Sequence, residues 1–148
     1  GFDARGLLRR GIRWFFGVRR IDRITIARSV LDDLCSMARG AHPNEMLAFF
    51  SSTRGLREGV LHIDEIQLQA YDANSDSAHV MLSQLPMTTS IVGTVHSHPG
   101  GSTWPSDADR ELFSKFGYLH AIIGEPYVLS RTAFYDKNGR RIAVVVVD

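Results

Sequence analysis

Two histidines, His96 and His98, end an apolar run at residues 91–95, and this arrangement limits the folds open to the chain. A short continuous apolar run predicts a buried β-strand, and residues two apart in a strand point to the same side. Both imidazoles are therefore expected on one side of the strand end. From there they can share a metal ion.

A carboxylate follows the histidine pair at short range. Asp109 lies near the start of a segment, residues 107–116, whose apolar positions recur at helical spacing. Its side chain is expected to turn back towards the strand end and supply a third ligand. Two imidazoles and one carboxylate suit Zn²⁺, and three protein ligands leave the fourth tetrahedral position for water or substrate. The residues therefore predict a catalytic zinc site.

Each of these residues also has an ordinary structural interpretation. A single histidine in a strand commonly has a polar partner and no metal, and an aspartate three residues after a serine commonly closes a helix capping box. Ser106 and Asp109 have that spacing. The joint occurrence of His-x-His and Ser-x-x-Asp at close range is difficult to obtain from capping alone, so the metal site is the favoured interpretation.

The same residues resemble the JAMM motif of the MPN-domain metalloproteases. That motif is an upstream glutamate, then His-Ser-His or His-Thr-His, seven residues, Ser, two residues and Asp; the chain matches it at Glu45, His96, His98, Ser106 and Asp109. The resemblance implies an α/β fold: a single MPN (JAMM) domain with a mixed β-sheet flanked by helices, similar to that of cytidine deaminases. It covers residues 24–148, and residues 1–23 are expected to form a separate basic arm.

The resemblance also implies a role for each residue. His96, His98 and Asp109 would hold Zn²⁺, and Glu45 would act as the general base towards a water molecule. Ser106 either donates a hydrogen bond to the water or to the tetrahedral oxyanion, or only caps the helix, and both roles are compatible. Ser97 alternates away from the ligands and is expected to support the site from behind.

Proteins similar to this one cleave isopeptide or peptide bonds after the C-terminal tails of ubiquitin and ubiquitin-like proteins, including sulfur-carrier-like modifiers of prokaryotes. The expected protein is a stand-alone prokaryotic enzyme of this type. An MPN scaffold that binds without cleaving is the alternative from another class, and iron oxygenases use the same ligand types. Zinc deaminases require a Cys-x-x-Cys pair, which the single cysteine, Cys35, cannot supply.

The N-terminal arm is strongly basic. Residues 1–23 contain seven arginines and two aspartates, whereas the remainder of the chain is mildly acidic. Its apolar residues would share one side of a helix, but three glycines weaken a helix here, so an extended arm is an equal alternative. The arm is a candidate contact for an anionic membrane surface or a partner protein, and nucleic acid is the less favoured partner.

Composition and periodicity complete the prediction. A chain of 148 residues, 44% hydrophobic, suits one domain, and no uncharged apolar run approaches the ~20 residues of a membrane span, so a soluble cytoplasmic protein is expected. Residues 100–105 form a loop that either moves on substrate binding or only connects the strand to the helix. Cys35 is expected to be a buried hydrophobe, and His62, His79 and His120 ordinary polar residues. The predicted elements are helices at 26–40, 74–85 and 107–116, strands at 46–50, 60–70 with a break near 64–65, 118–124, 128–135 and 140–147, a turn at 54–59, and a hairpin at Asn138-Gly139 with both residues at positive φ.

Overall fold

The computed structural model describes the backbone of residues 12–14, 17–71, 83 and 91–148, and the side chains of 20–67, 83 and 91–148. Its elements in chain order are β1 (Ile12–Trp14), β2 (Gly17–Arg19), β3 (Arg23–Ala27), α1 (Arg28–Ala41), β4 (Met46–Ser51), β5 (Leu56–Arg57), β6 (Val60–Ile63), β7 (Glu65–Tyr71), β8 (Ile91–His98), α2 (Asp107–Lys115), β9 (Leu119–Gly124), a 3-10 turn (Leu129–Arg131), β10 (Thr132–Tyr135) and β11 (Val145–Val147).

A mixed five-stranded sheet, in the order β10-β9-β8-β4-β7, forms the centre of the molecule. Only β8 and β9 run parallel, so their carboxyl ends meet at one edge of this sheet. The two strands approach each other closely at Gly93, where an added Cβ would lie 1.6 Å from the carbonyl oxygen of Leu119. A glycine at this position therefore allows the pairing that places the end of β8 beside the end of β9.

The two described helices cover opposite faces of the central sheet. The apolar face of α1, which includes Leu31 and Leu34, packs in the main core together with residues of β3, β4, β6, β8 and β9. Phe113 and Leu112 of α2 pack instead against the other face of the sheet, in two smaller apolar clusters. The predicted α/β fold with a mixed sheet between helices is confirmed.

A second mixed sheet, in the order β11-β3-β6-β5, was not predicted from the sequence. The prediction of a helix from residue 26 is wrong by two residues, because Ile26 ends the buried part of β3 and α1 begins at Arg28. β3 has parallel neighbours on both sides, β11 and β6. β3 is short and runs directly into α1, so Ile26 extends the helical pattern of apolar residues towards the N-terminus.

The C-terminal hairpin also departs from the prediction. Gly139 has a positive φ of 81°, but Asn138 does not, so the predicted two-residue turn is wrong. The Asp136 carboxylate instead accepts hydrogen bonds from the amides of Asn138 (2.8 Å) and Arg140 (2.9 Å), which closes a longer turn. The flanking strands are shorter than predicted, and β11 leaves this hairpin to pair with β3 in the second sheet.

The remaining predictions follow the structure more closely. The strands at 46–50 and 118–124 and the helix at 107–116 are confirmed to within two residues, and the predicted turn at 54–59 also contains β5. The break near 64–65 is confirmed at Asp64, which separates β6 from β7 and accepts a hydrogen bond from the amide of Thr53 at 2.9 Å.

Within the arm, β1 and β2 pair antiparallel, which is the extended alternative, while residues 1–11 lie outside the described part. The helix predicted at 74–85, with His79, also lies outside the described residues apart from Ser83.

No helix in the described ranges has both the length and the apolar character that crossing a bilayer requires. The cytoplasmic location stays a prediction.

Candidate metal centre

The end of β8 presents both histidines on one side of the sheet, as their spacing predicts. Their Nε2 atoms lie 3.1 Å apart, and the ring centroids are separated by 4.9 Å. His96 is buried, with 4% of its surface exposed, and His98 is partly buried at the strand end. Ser97 points to the opposite side, where it is fully buried. Alternation along a central strand is therefore what pairs the two imidazoles.

Asp109 reaches the histidines through the first turn of α2. The Ser106 hydroxyl accepts a hydrogen bond from the Asp109 amide (3.1 Å), and the Asp109 carboxylate accepts one from the Ser106 amide (2.8 Å). This reciprocal capping box turns the carboxylate back over the start of the helix, towards β8. Its Oδ1 lies 3.0 Å from His96 Nε2, and its Oδ2 lies 3.2 Å from His98 Nε2. The capping interpretation of Ser-x-x-Asp is thus confirmed, and the same arrangement turns the Asp109 carboxylate towards the two histidines.

The separations of the three donors fit one small tetrahedral ion. Two ligand atoms that each stand about 2.0–2.1 Å from a tetrahedral Zn²⁺ are about 3.3 Å apart. The two Nε2 atoms are 3.1 Å apart, and each lies 3.0 Å or 3.2 Å from one oxygen of the Asp109 carboxylate, Oδ1 for His96 and Oδ2 for His98. His96, His98 and Asp109 form a group whose ligand atoms all lie within 4.8 Å of one another. The donor set and its spacing therefore fit a metal with one open coordination position.

The electrostatics keep Asp109 in the ionised form that binds a cation. Burial alone would raise the pKa of this carboxyl, but the hydrogen bonds from His96 and His98 outweigh burial and hold the pKa far below its usual range. The pKa of His98 is raised, first by its hydrogen bond to Asp109 and further by the Ser102 carbonyl and the charge of Glu45. The centre is thus an anionic site that favours a positive charge between the imidazoles.

The two histidines are oriented in different ways. His98 Nδ1 donates a hydrogen bond to the Ser102 carbonyl at 2.7 Å, so the lone pair of a neutral, metal-binding ring would lie on Nε2, the nitrogen that faces the site. His96 Nδ1 is buried and has no hydrogen-bond partner among the described residues. The ring of His96 lies instead 6.2 Å from the ring of Phe113 on α2. Packing therefore orients His96, whereas a backbone carbonyl orients His98.

Glu45 lies on the metal side of the sheet, immediately before β4. In the antiparallel pairing of β4 with β8, Leu47 stands opposite His96, so continuation of the register brings Glu45 to the level of His98. The amide of Met46 donates a hydrogen bond to the Ser97 hydroxyl at 2.9 Å, which fixes the backbone next to Glu45. The glutamate side chain is exposed, and its charge acts on His98. The strand register and this electrostatic effect place Glu45 near the end of β8 that carries His98.

The other candidate residues do not join the site. His62 is hydrogen-bonded to the Thr25 hydroxyl at 2.7 Å in the second sheet, and His120 to the Thr94 hydroxyl at 2.7 Å. Cys35 is buried, and burial raises the pKa of its thiol, which makes it unreactive. These residues are structural, as predicted.

Sequence patterns do not reveal the residues that hold the loop between β8 and α2. Ser102 acts through its backbone carbonyl, which every residue type possesses, and Tyr135 contacts the carbonyl of Thr103 from a strand 32 positions away. When a side chain binds a backbone carbonyl, the residue that supplies the carbonyl can be of any type, so no sequence pattern marks the contact. Only the apolar, β-prone character of the Tyr135 strand was visible there.

The fold and the site define the class of protein: an α/β domain that holds a two-histidine, one-aspartate metal centre at the end of a central strand. Residues 27–136 match the family of prokaryotic homologs of the JAB domain, and the chain belongs to that family. The resemblance to JAMM and MPN-domain proteins is thereby confirmed.

Individual relatives agree with this assignment. A Haloferax volcanii protein named "Probable metalloprotease" is 31% identical over 130 residues, which are 84% of this chain and 80% of that protein. A JAB1/MPN domain protein from Archaeoglobus fulgidus is 31% identical with a TM-score of 0.65, over 84% of this chain and 99% of the other. A further solved structure, also 31% identical with a TM-score of 0.65 over 85% and 99%, is described as a JAMM metalloprotease-like zinc site in the proteasome and signalosome.

Proposed function

We propose that the protein is a zinc-dependent peptidase of the JAMM type, with its active site at the end of β8. Its proposed substrates are amide bonds of other proteins, including isopeptide bonds. The observation that carries this proposal is the convergence of the His96, His98 and Asp109 side chains, whose ligand atoms lie within 4.8 Å of one another, near an exposed glutamate. The relative named for metalloprotease activity and the solved structure described by its zinc site support the choice of reaction and metal.

His96, His98 and Asp109 would hold the ion. Zinc bound there would polarise the carbonyl of the scissile bond and lower the pKa of a coordinated water towards ~7. Because Asp109 supplies the only negative charge among the three ligands, a divalent ion keeps a net positive charge in the site. That charge favours the oxyanion that develops on the substrate carbonyl.

Glu45 acts as general base and then as general acid. It accepts a proton from the attacking water as oxygen bonds to the carbonyl carbon, and delivers that proton to the leaving amine as the carbon–nitrogen bond breaks. Its exposure leaves it open to substrate, and the Ser97 hydrogen bond to the adjacent amide of Met46 keeps its backbone in place. A glutamate on a fixed strand end beside the metal needs no large movement to perform both steps.

The hydroxyl of Ser106 can donate a hydrogen bond during the reaction. Its oxygen accepts from the Asp109 amide at 3.1 Å, so the hydroxyl hydrogen remains available to donate. Directed at the developing oxyanion, this donor would stabilise the transition state more than the ground state. Capping α2 and assisting the reaction use different atoms of the hydroxyl, so Ser106 performs both.

The proposed substrate is the extended C-terminal tail of a ubiquitin-like protein, joined by a peptide or isopeptide bond. Support comes from the family and from the exposed surroundings of the site, where Glu45 and the loop residue Trp104, 66% exposed, stand open to a large partner. Small residues at the end of such a tail would let its backbone approach the metal closely. The partner of the N-terminal arm stays a separate prediction.

The decisive experiment compares zinc content with turnover. The zinc-loaded protein is incubated with linear and isopeptide-linked ubiquitin-like fusions, with and without chelator, and products are identified by mass spectrometry. Glu45→Gln is expected to keep one zinc per chain and to lose turnover by about 10²-fold to 10⁴-fold, because proton transfer is removed while the ligands remain. His98→Ala is expected to lose both zinc and turnover.

Glu58→Gln is the matched control, since it removes an exposed carboxylate from the turn between β5 and β6. Its activity and zinc content are expected to equal those of the wild type. Wild-type turnover by Glu45→Gln would remove Glu45 from the mechanism. Iron rather than zinc as the bound ion, together with no cleavage of any fusion, would replace the hydrolytic assignment with oxygen chemistry.

A further inference from the structure

The loop from residue 99 to residue 105 is held by side chains at three successive carbonyls. The carbonyl of Gly101 accepts a hydrogen bond from Arg131, that of Ser102 from His98 at 2.7 Å, and that of Thr103 from the Tyr135 hydroxyl at 2.5 Å. The three donors lie on β8, on the 3-10 turn and on β10. A loop with its consecutive peptide groups fixed from three elements is a rigid connection, which favours the predicted connecting role over movement on substrate binding.

The loop also lies directly against the end of β9. The amide of Gly101 donates to the His98 carbonyl at 3.1 Å, and Gly101 has a φ of 87°. A Cβ added to Gly124 would lie 2.4 Å from the carbonyl oxygen of Gly101, so this approach requires glycine. The backbone on the N-terminal side of Ser102 therefore has one position available to it, set by β9 and Arg131.

Tyr135 fixes the backbone on the other side of Ser102. Its side chain is fully buried, and its ring packs against that of Phe113 with centroids 5.9 Å apart. The guanidinium of Arg141 lies over the ring, 5.7 Å from its centroid. A ring packed in this way holds its hydroxyl in one place, and the Thr103 carbonyl must meet it there. Arg131, in contrast, is exposed and can be replaced without disturbing the core.

We propose that Tyr135 and Arg131 are positioning residues for the metal centre. By fixing the carbonyls of Gly101 and Thr103, they hold the Ser102 carbonyl where it accepts the Nδ1 hydrogen of His98. This selects the tautomer of His98 whose Nε2 lone pair faces the ion. The inference rests on the proposed metal site, and it assigns part of the metal affinity to residues that never touch the ion.

The test is the zinc dissociation constant, measured by competition with a chelating dye at one pH. Tyr135→Phe keeps the packed ring and removes only the hydroxyl; we expect it to weaken zinc binding by about 10-fold, within the range for lost outer contacts of metal ligands. Arg131→Gln is expected to weaken binding less, because an exposed donor is replaced in part by water. Cobalt-loaded Tyr135→Phe is expected to show a shifted visible spectrum, which reports ligand geometry directly.

Thr25→Val is the matched control. It also deletes a buried hydroxyl that is hydrogen-bonded to a histidine, here His62 at 2.7 Å, but in the second sheet. It is expected to lower the free energy of unfolding and to leave the zinc affinity and cobalt spectrum unchanged. A purely structural role of Tyr135 predicts the same pattern for Tyr135→Phe as for this control.

The outcomes separate the two proposals. If wild-type protein binds zinc and both Tyr135→Phe and Arg131→Gln bind it with the wild-type constant, the positioning role is overturned and the proposed function stands. If wild-type protein does not bind zinc, the proposed function fails, and this inference with it. Weaker binding in both loop variants with unchanged binding in Thr25→Val supports the positioning role.

Discussion

His120 makes the stability of this fold depend on pH in a way that can be calculated. Its imidazole is fully buried in β9, and its Nδ1 accepts a hydrogen bond from the Thr94 hydroxyl at 2.7 Å. Its Nε2 donates to the Gly117 carbonyl at 3.2 Å, and its ring stacks on Phe113 with centroids 4.5 Å apart. Both nitrogens are satisfied by the neutral ring, so a proton added to Nδ1 would break the bond from Thr94.

Burial lowers the pKa of His120 to about 3, from 6.5 in its ordinary setting. Above pH 6.5 the ring is neutral in both the folded and the unfolded chain, and the stability is unaffected by pH. Below pH 6.5 the imidazole of His120 becomes protonated in the unfolded chain, whereas in the folded chain it stays neutral down to about pH 3. The free energy of unfolding should therefore fall with a slope that approaches about 1.4 kcal/mol per pH unit inside this window. Because the unfolded ring is already half protonated at pH 6.5, the loss between pH 6.5 and pH 4.5 is about 2 kcal/mol.

Urea unfolding of metal-free protein, with chelator present throughout, measures this loss at pH 8, 6.5, 5.5 and 4.5. The comparison is with His120→Asn, which keeps an acceptor for the Thr94 hydroxyl but does not titrate. The variant should be less stable at every pH, since it leaves a cavity, yet its stability should fall by about 2 kcal/mol less between pH 6.5 and 4.5. Parallel stability curves for the two proteins would show that the buried ring is protonated as readily as a free one, and the reasoning would be refuted.

Three further outcomes are expected. Gly93→Ala should destabilise the fold by more than about 3 kcal/mol in urea unfolding, because its Cβ would meet the Leu119 carbonyl at 1.6 Å; a cost under about 1 kcal/mol would mean that β8 and β9 can separate there. Ser97→Ala should cost about 1–3 kcal/mol by leaving the buried Met46 amide without its acceptor, and should lower kcat more than zinc affinity; unchanged kcat would detach this bond from catalysis. Zinc at about 100 times its dissociation constant should add about 2.7 kcal/mol to the stability of the wild type and nothing to that of His98→Ala, and an equal gain in both would place the ion elsewhere.

The sequence predicted the metal centre well because local rules place most of it. Alternation along one strand pairs His96 with His98, and a capping box turns Asp109 towards them. Each of these arrangements depends on residues close together in the chain. Glu45 is different, because only the resemblance to a family motif singled it out, and its approach depends on the pairing of β4 with β8.

The second sheet could not be predicted in the same way. Its strands β11 and β3 pair Val145 with Thr25, two residues separated by most of the chain, and their parallel pairing leaves no turn between them to recognise. β3 also follows directly into α1, so its apolar residues extend the helical pattern towards the N-terminus. The side chains that hold the 99–105 loop were missed for a related reason, since their partners are backbone carbonyls contributed by distant segments.

The Asp109 carboxylate serves the helix and the cation with the same two oxygens, and Oδ2 accepts from the Ser106 amide while it faces His98. In a related protein that no longer binds metal, the serine and the aspartate would therefore still stabilise the fold, because they cap α2. When a related chain is inspected for lost hydrolytic capacity, Ser-x-x-Asp alone is uninformative. His96, whose Nδ1 has no hydrogen-bond partner among the described residues, is the more diagnostic part of the signature.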